Sequence, residues 1–216
     1  TGFLTTEDGT VYSVFDTQVK NGIYLHLVKT KETLKGTVSL NVDLDRRLSI
    51  QRHHSATHLL NWVLRSTLGT HIQQAGSYVS GNRLRFDFSH FEAIDRKTLQ
   101  SIEQSINKKV LENSLVDTFE VALKDKPEDV VAVFGEKYGN QVRVVDIGGF
   151  SKELCGGTHV QATGEIGLIK ILSESGIAAG TRRIEAVCGE TSYTIAEERF
   201  SQVDALANKF NCNSEE

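Results

Sequence analysis

Apolar residues along this chain follow two alternating rhythms. Over residues 1–44, β-branched and aromatic residues fall in short runs, 11–16, 22–30 and 36–43, separated by Gly, Asn and Lys turns, which predicts strands. From 44–50 onward the spacing changes to three and four, which predicts a helix reaching Leu68 and stopped by Gly69. At about 100° per residue, Ala56, Leu59, Leu60, Val63 and Leu64 gather on one side of it, with His54, His58 and Arg65 nearly opposite. Beyond Gly69, residues 71–79 and 83–88 read as strands joined by Ser80-Gly81-Asn82, a hairpin signal. Residues 95–113 predict a helix, with Leu99, Ile102, Ile106 and Val110 as its apolar stripe and Asp95 as its N-cap. Residues 116–123 and 141–147 read as strands, and Pro127 suits the first turn of a short helix through about Phe134. Residues 167–175 and 181–188 are two more strands around the loop 176–180. A last helix, 191–210, has Ile195, Phe200, Val203, Leu206 and Phe210 available for packing, and the polar tail 211–216 reads as a connector to another module.

The expected class is therefore α+β. A small β subdomain (1–44) precedes a core of mixed sheet packed with helices (45–189), and a C-terminal helix (190–216) follows. A chain of 216 residues, 39% hydrophobic and 24% charged, is long enough for one substantial core or two modest ones. No apolar run approaches bilayer length, and the first residues do not resemble a secretory signal. Methionine is absent even at position 1, so the chain is expected to be a processed or excised part of a longer one. Cys155, Cys188 and Cys212 form no close pair and leave an odd count, which fits a reducing, cytoplasmic setting. A net charge of −4 argues against wholesale attraction to nucleic acid. Local basic clusters exist at Arg46-Arg47, Arg52, Arg83 with Arg85, and Arg182-Arg183, although each alone is more often a solvated face.

The candidate chemistry lies in two distant stretches. His54 and His58, four apart on a helix, project from one face and can reach a single ion. Cys155-Gly156-Gly157-Thr158-His159 adds a thiolate and a third imidazole on a glycine turn. His54, His58, Cys155 and His159 together match the ligand preference of zinc. Alone, a His-x-x-x-His pair is weak, because histidines often hydrogen-bond at helix starts and surfaces.

These residues also carry a family likeness. Residues 52–60 (RHHSATHLL), 74–77 (QAGS), 83–90 (RLRFDFSH), the CGGTH of 155–159 and GIAAGTRRIEA of 176–186 resemble, in that order, the editing domain of alanyl-tRNA synthetase. His53 and Asn61 depart from the common pattern, where asparagine and histidine respectively are frequent; neither is a proposed ligand. The resemblance implies hydrolysis of the ester joining a wrong amino acid, serine or glycine, to the 3′-terminal adenosine of alanine tRNA, tRNA(Ala). It also implies that residues 1–44 are part of a β-barrel-like subdomain, and with it one Zn2+ per chain, an aminoacylation domain upstream and a C-terminal domain downstream. A synthetic pocket built for alanine cannot sterically reject glycine and rejects a serine hydroxyl imperfectly, which is why a second, hydrolytic site is needed.

On this resemblance Thr57 is the candidate sensor of the serine hydroxyl; as an ordinary helix residue it would instead bond a carbonyl of the preceding turn. Gln74 is a candidate for positioning the ester or the attacking water, and Arg83, Arg85 and Gly156 are candidates for tRNA or substrate contact. Four protein ligands describe a closed, structural zinc, whereas catalysis needs an open position, so water activation and substrate anchoring both stay open. Cys155 as a covalent nucleophile is a third option that explains the glycine turn less well. The rival readings are a free-standing editing protein, a threonyl-type editing domain, and a catalytically inactive tRNA-binding module stabilised by zinc.

Overall fold

A computed structural model of the protein describes residues 1–132 and 138–210. The described chain divides into two compact units, Thr1–Leu48 and the remainder from Ser49. The first unit holds four strands, β1 (Gly2–Thr6), β2 (Val11–Lys20), β3 (Ile23–Val28) and β4 (Val38–Val42), in the antiparallel order β3-β2-β1-β4. This sheet is open rather than closed into a barrel. Its β2–β3 hairpin turns through Asn21 (φ 51°) and Gly22 (φ 77°), the paired left-handed residues that a tight hairpin of native twist requires. Strand β1, short and flanked by polar residues, has no counterpart in the hydrophobic pattern.

Helix α1 (Leu44–Leu68) begins where the Asp43 carboxylate accepts the Arg46 N–H, and it ends at Gly69, whose φ of 117° no side-chain-bearing residue adopts comfortably. Strands β5 (Gln74–Val79) and β6 (Leu84–Ser89) form the expected hairpin, closed by the Ser80 N–H on the Arg83 carbonyl. Helix α2 (Arg96–Leu111) is capped as expected, with the Asp95 side chain accepting from the Lys97 and Thr98 N–H groups. There follow β7 (Val116–Ala122), β8 (Gln141–Ile147), β9 (Ser151–Leu154), β10 (Ile169–Ala178), β11 (Thr181–Cys188) and α3 (Glu190–Phe210). They build two further antiparallel sheets, β10-β11-β6-β5 and β7-β8-β9.

One apolar core joins these parts. Leu59, Leu60, Val63 and Leu64 of α1 pack with Leu84, Phe86 and Phe88 of β6, Ile102 and Ile106 of α2, Ile147 of β8 and Ile184 of β11. The polar side of α1 is buried as well: His53, Ser55, Thr57, His58 and Asn61 are all enclosed. A helix shut in on both sides has to satisfy its polar side chains within the protein, and in doing so it assembles the site.

Three expectations fail. No helix opens at Pro127 among the described residues; the Val130 N–H bonds the Pro127 carbonyl in a turn, and a short 3-10 turn lies earlier, at Leu123–Asp125. Val131 bonds both ways with the β9 segment, through the Lys152 carbonyl and the Leu154 N–H, and this extended bridge excludes helix. Phe134 and the tail 211–216 lie outside the described residues. In α3 the apolar side chains Phe200, Val203, Leu206 and Phe210 are exposed, and only Ser192 and Ala207 are buried. Strand β10 also runs on into the expected loop, leaving the turn to Ala179 and Gly180. Among the described residues no helix is long and apolar enough to cross a membrane.

Candidate metal centre

His54, His58, Cys155 and His159 converge, and their ligand atoms all lie within 4.8 Å of one another. The edges of a zinc tetrahedron with nitrogen and sulfur ligands measure about 3.3–3.6 Å. Cys155 Sγ stands 3.3 Å from His54 Nε2 and 3.4 Å from His159 Nε2. The three rings face one another with centroids 4.2–5.2 Å apart. His58 Nε2 is buried and has no hydrogen-bond partner, a costly state that a cation ligated there removes. The donor set and this orphaned nitrogen fit a divalent cation of the zinc type.

The chain fixes each ligand from behind. His58 Nδ1 lies 2.7 Å from Glu153 Oε2, and Glu153 Oε1 accepts from Asn61 Nδ2 at 2.8 Å. A carboxylate on Nδ1 demands the hydrogen there and so turns the Nε2 lone pair inward. Ser55 Oγ performs a similar task, 3.1 Å from His159 Nδ1, while also accepting the Val160 N–H. His53 instead ties α1 to β11: its Nδ1 bonds the Ser49 carbonyl and its Nε2 accepts the Cys188 N–H. Burial lowers its pKa, in keeping with the neutral ring those two bonds require.

The turn carrying Cys155 is held just as closely. Its sulfur accepts the Gly157 N–H at 3.4 Å, and Arg143 Nη1 donates to the Cys155 carbonyl at 3.1 Å and the Gly157 carbonyl at 2.5 Å. A Cβ on Gly157 would overlap the His54 ring, so glycine is needed there for close approach. Gly156 meets nothing within 4 Å and borders open space.

Charge follows the geometry. Burial disfavours the Cys155 thiolate, yet the hydrogen bonds from His159 and His54, with the positive charge of nearby His58, outweigh it and hold the thiol down at about 3. Burial also opposes a charge on His58, but the Glu153 carboxylate and the Cys155 sulfur raise it to about 10. His159 falls to about 4, from burial first and then repulsion by His58. These rings compete for protons; the directions that follow from position are a thiolate at Cys155 and a proton retained by His58 against Glu153. A metal entering at neutral pH must displace that proton. Apparent affinity should therefore rise about tenfold per pH unit from neutral pH up to the His58 value of about 10 and level above it. Competition titration with a chelating dye at fixed ionic strength measures this, and a pH-independent affinity would contradict it.

Three of these four side chains, His54, His58 and Cys155, border a cleft of about 360 Å3, a size suited to part of a nucleoside or a small ester. Thr57 and Gln74 line it together with Gly156, Arg143 and Glu153. Thr57 Oγ1 donates to the His53 carbonyl at 2.8 Å, the ordinary helical role weighed above, and its lone pairs are left to accept. Gln74 Nε2 lies 3.3 Å from Ser77 Oγ beside a bulge in β5. Arg83 and Arg85 do not line the cleft. Arg83 lies 3.9 Å from Glu185, and Arg85 stacks over Tyr78 and lies 3.9 Å from Asp87, whose carboxylate is gripped by Arg183. Strand parity puts them on the sheet face opposite buried Leu84, Phe86 and Phe88.

Sequence reasoning missed Glu153 and Arg143. Arg143 stands between Val142 and Val144 in β8 and Glu153 before Leu154 in β9, and strand parity with Val145 turns both towards α1.

The chain matches, over residues 142–185, the family described as the Threonyl and Alanyl tRNA synthetase second additional domain. It is 51% identical over 178 residues to the alanine–tRNA ligase of Opitutus terrae, covering 82% of this chain and 19% of that protein. It is 46% identical over 217 aligned positions to the alanine–tRNA ligase of Bacillus cytotoxicus, covering 98% of this chain and 24% of that one. The chain thus spans about a fifth to a quarter of the length of these relatives.

Proposed function

Because this chain carries the second additional domain shared by threonyl and alanyl tRNA synthetases, in a segment of the alanine–tRNA ligase type, we propose that its cleft hydrolyses the ester between a wrongly attached serine or glycine and the terminal adenosine of alanine tRNA. The observation that carries this reading is the convergence of His54, His58, Cys155 and His159 beside a cleft that the first three line together with Thr57. The wider synthetase, with its aminoacylation domain upstream and C-terminal domain downstream, and a cytoplasmic setting belong to the same proposal.

Zinc is the ion proposed, held by those four residues; when bound it supplies a fixed positive charge against which the substrate's amino group or ester oxygen orients. The remaining work falls to the protein. The Thr57 hydroxyl, its hydrogen committed to the His53 carbonyl, presents a lone pair that a serine hydroxyl can satisfy and an alanine methyl cannot. Gln74 offers an amide across the cleft to orient the ester or the attacking water. Gly156 leaves room for the substrate at the turn.

Thr57→Val keeps the shape and removes the acceptor. The His53 carbonyl retains its helical bond, so the fold should hold. The ratio of seryl-ester to alanyl-ester hydrolysis should fall about tenfold, the worth of one neutral hydrogen bond; an unchanged ratio would remove Thr57 from the role. The proposal as a whole is tested by deacylation of serine- and glycine-charged alanine tRNA against serine-charged threonine tRNA, with zinc measured in the same preparation. Preference for the threonine tRNA would transfer the chain to the threonyl-type reading, and absence of hydrolysis from a zinc-loaded chain would favour the non-catalytic tRNA-binding module.

A further inference from the structure

Among the described residues lining the cleft, Arg143 is the one lysine or arginine. Its guanidinium is already half committed. Nη1 spends both of its hydrogens on the Cys155 and Gly157 carbonyls, which fixes the plane of the group beside the ligand turn. Neither Nε nor Nη2 bonds to any described residue. A permanently charged donor, immobilised within a bond's reach of the Cys155 backbone and with an edge to spare, is a preorganised anion site.

Resting on the ester-hydrolysis reading above, we propose that Arg143 is a catalytic residue whose free guanidinium edge donates to the ester carbonyl oxygen as that oxygen becomes negative. In the reaction a water oxygen bonds to the carbonyl carbon and the π pair moves onto the carbonyl oxygen. The pair then returns as the bond to the ribose oxygen breaks. One proton of the water ends on the ribose oxygen and the other passes to solvent, leaving the amino acid as its carboxylate. The transient charge sits on the carbonyl oxygen alone, and a donor that needs no reorganisation favours that state over the neutral ester. The other anion in the substrate is the phosphodiester of the RNA. Engaging it would make Arg143 a binding group and leave the chemical step untouched.

The test uses Arg143→Gln and Arg143→Lys with zinc content measured for each. Substrates are seryl-tRNA and a phosphate-free seryl ester of adenosine. Two non-reacting analogues of that ester, one a planar amide and one a tetrahedral anionic phosphonate, are titrated by fluorescence. Arg143→Gln should lower kcat on both substrates about 100-fold with KM changed less than about threefold. It should also weaken phosphonate binding by a similar factor while sparing the amide. Arg143→Lys should recover only part, because an ammonium lacks the second, coplanar donor. Equal losses for both analogues, no loss, or a KM effect confined to the tRNA substrate would each overturn the proposal, the last in favour of a phosphate clamp. If both variants lose zinc, the Nε resonance of Arg143 in the unaltered protein decides: it should shift with the phosphonate and not with the amide, and the reverse overturns the assignment. An unaltered, zinc-loaded protein that neither hydrolyses the esters nor binds either analogue would refute the reading of the cleft itself, and the role of Arg143 with it.

Discussion

Gly157→Ala should cost the protein its metal, with affinity lower by about 100-fold or more, while the neighbouring Gly156→Ala leaves metal affinity within about threefold. At position 157 an added Cβ overlaps His54 at Cε1 and stands 2.6 Å from Nδ1, so the ring must leave the cluster or the turn must retreat with Cys155. The Gly157 backbone is not in the left-handed region, so strain in the chain is not the cause; the cause is contact with a ligand. At position 156 the new methyl meets only open space at the edge of the cleft. That substitution should leave the metal in place and, on the proposed function, raise KM. Elemental analysis and chelator competition separate the two variants. His54 makes no part of the apolar core, so both should keep the unfolding midpoint of the chelator-treated parent within a few degrees. If Gly157→Ala holds zinc as firmly as the parent, the four groups do not share one ion in the arrangement described.

The second large effect concerns Glu153. Its carboxylate receives two buried donors, His58 Nδ1 and Asn61 Nδ2, with both side chains of the His58–Glu153 pair only 8% exposed. Glu153→Ala leaves both without a partner and should destabilise the fold by about 3 kcal/mol, seen as a midpoint lower by about 6–12 °C. Glu153→Gln is different. Asn61 Oδ1 has no partner in the protein, so the Asn61 amide can rotate to accept from the new glutamine, whose own oxygen still receives His58 Nδ1–H. Shape and hydrogen bonds survive and only the charge is lost. Stability should stay within about 1 kcal/mol while metal affinity drops about 10–100-fold. A Glu153→Ala chain as stable as its parent would mean that the pair is not enclosed as described.

These residues show what a sequence discloses and what it withholds. The convergence of His54, His58, Cys155 and His159 was legible because each pair lies within five residues, and a helix or a tight turn converts that spacing directly into distance. Glu153 and Arg143 were not, because a strand residue's surroundings depend on which face the strand turns inward and on what lies opposite. Only the pairing of β8 with β9, and their burial against α1, supplies that. Arg83 and Arg85 illustrate the same gap. Their alternation with Leu84 and Phe86 correctly put them on one face, yet nothing local told that this face is turned away from the cleft. The helix ends at Gly69 and Asp95 were readable from capping chemistry alone. The stretch after Pro127 was not, because Val131 is claimed by a distant strand. In α3 the apolar positions were read as available for packing, and this chain leaves all of them but Ile195 exposed.

His54 and Cys155, 101 residues apart, contribute to one cluster. A ribosome adding about 5–20 residues per second releases the helix histidines some 5–20 s before the sulfur that completes their set. During that interval the nascent helix can offer an ion only a two-nitrogen foothold, easily surrendered. Loading is thereby deferred until the glycine turn has been synthesised, and the ion that then enters staples together the two ends of a long loop whose unfolded counterpart is floppy. On the proposed zinc reading, metal uptake is a late event of biogenesis, and zinc-starved cells should accumulate a chain that is folded through its apolar core but open to proteolysis around residues 155–159.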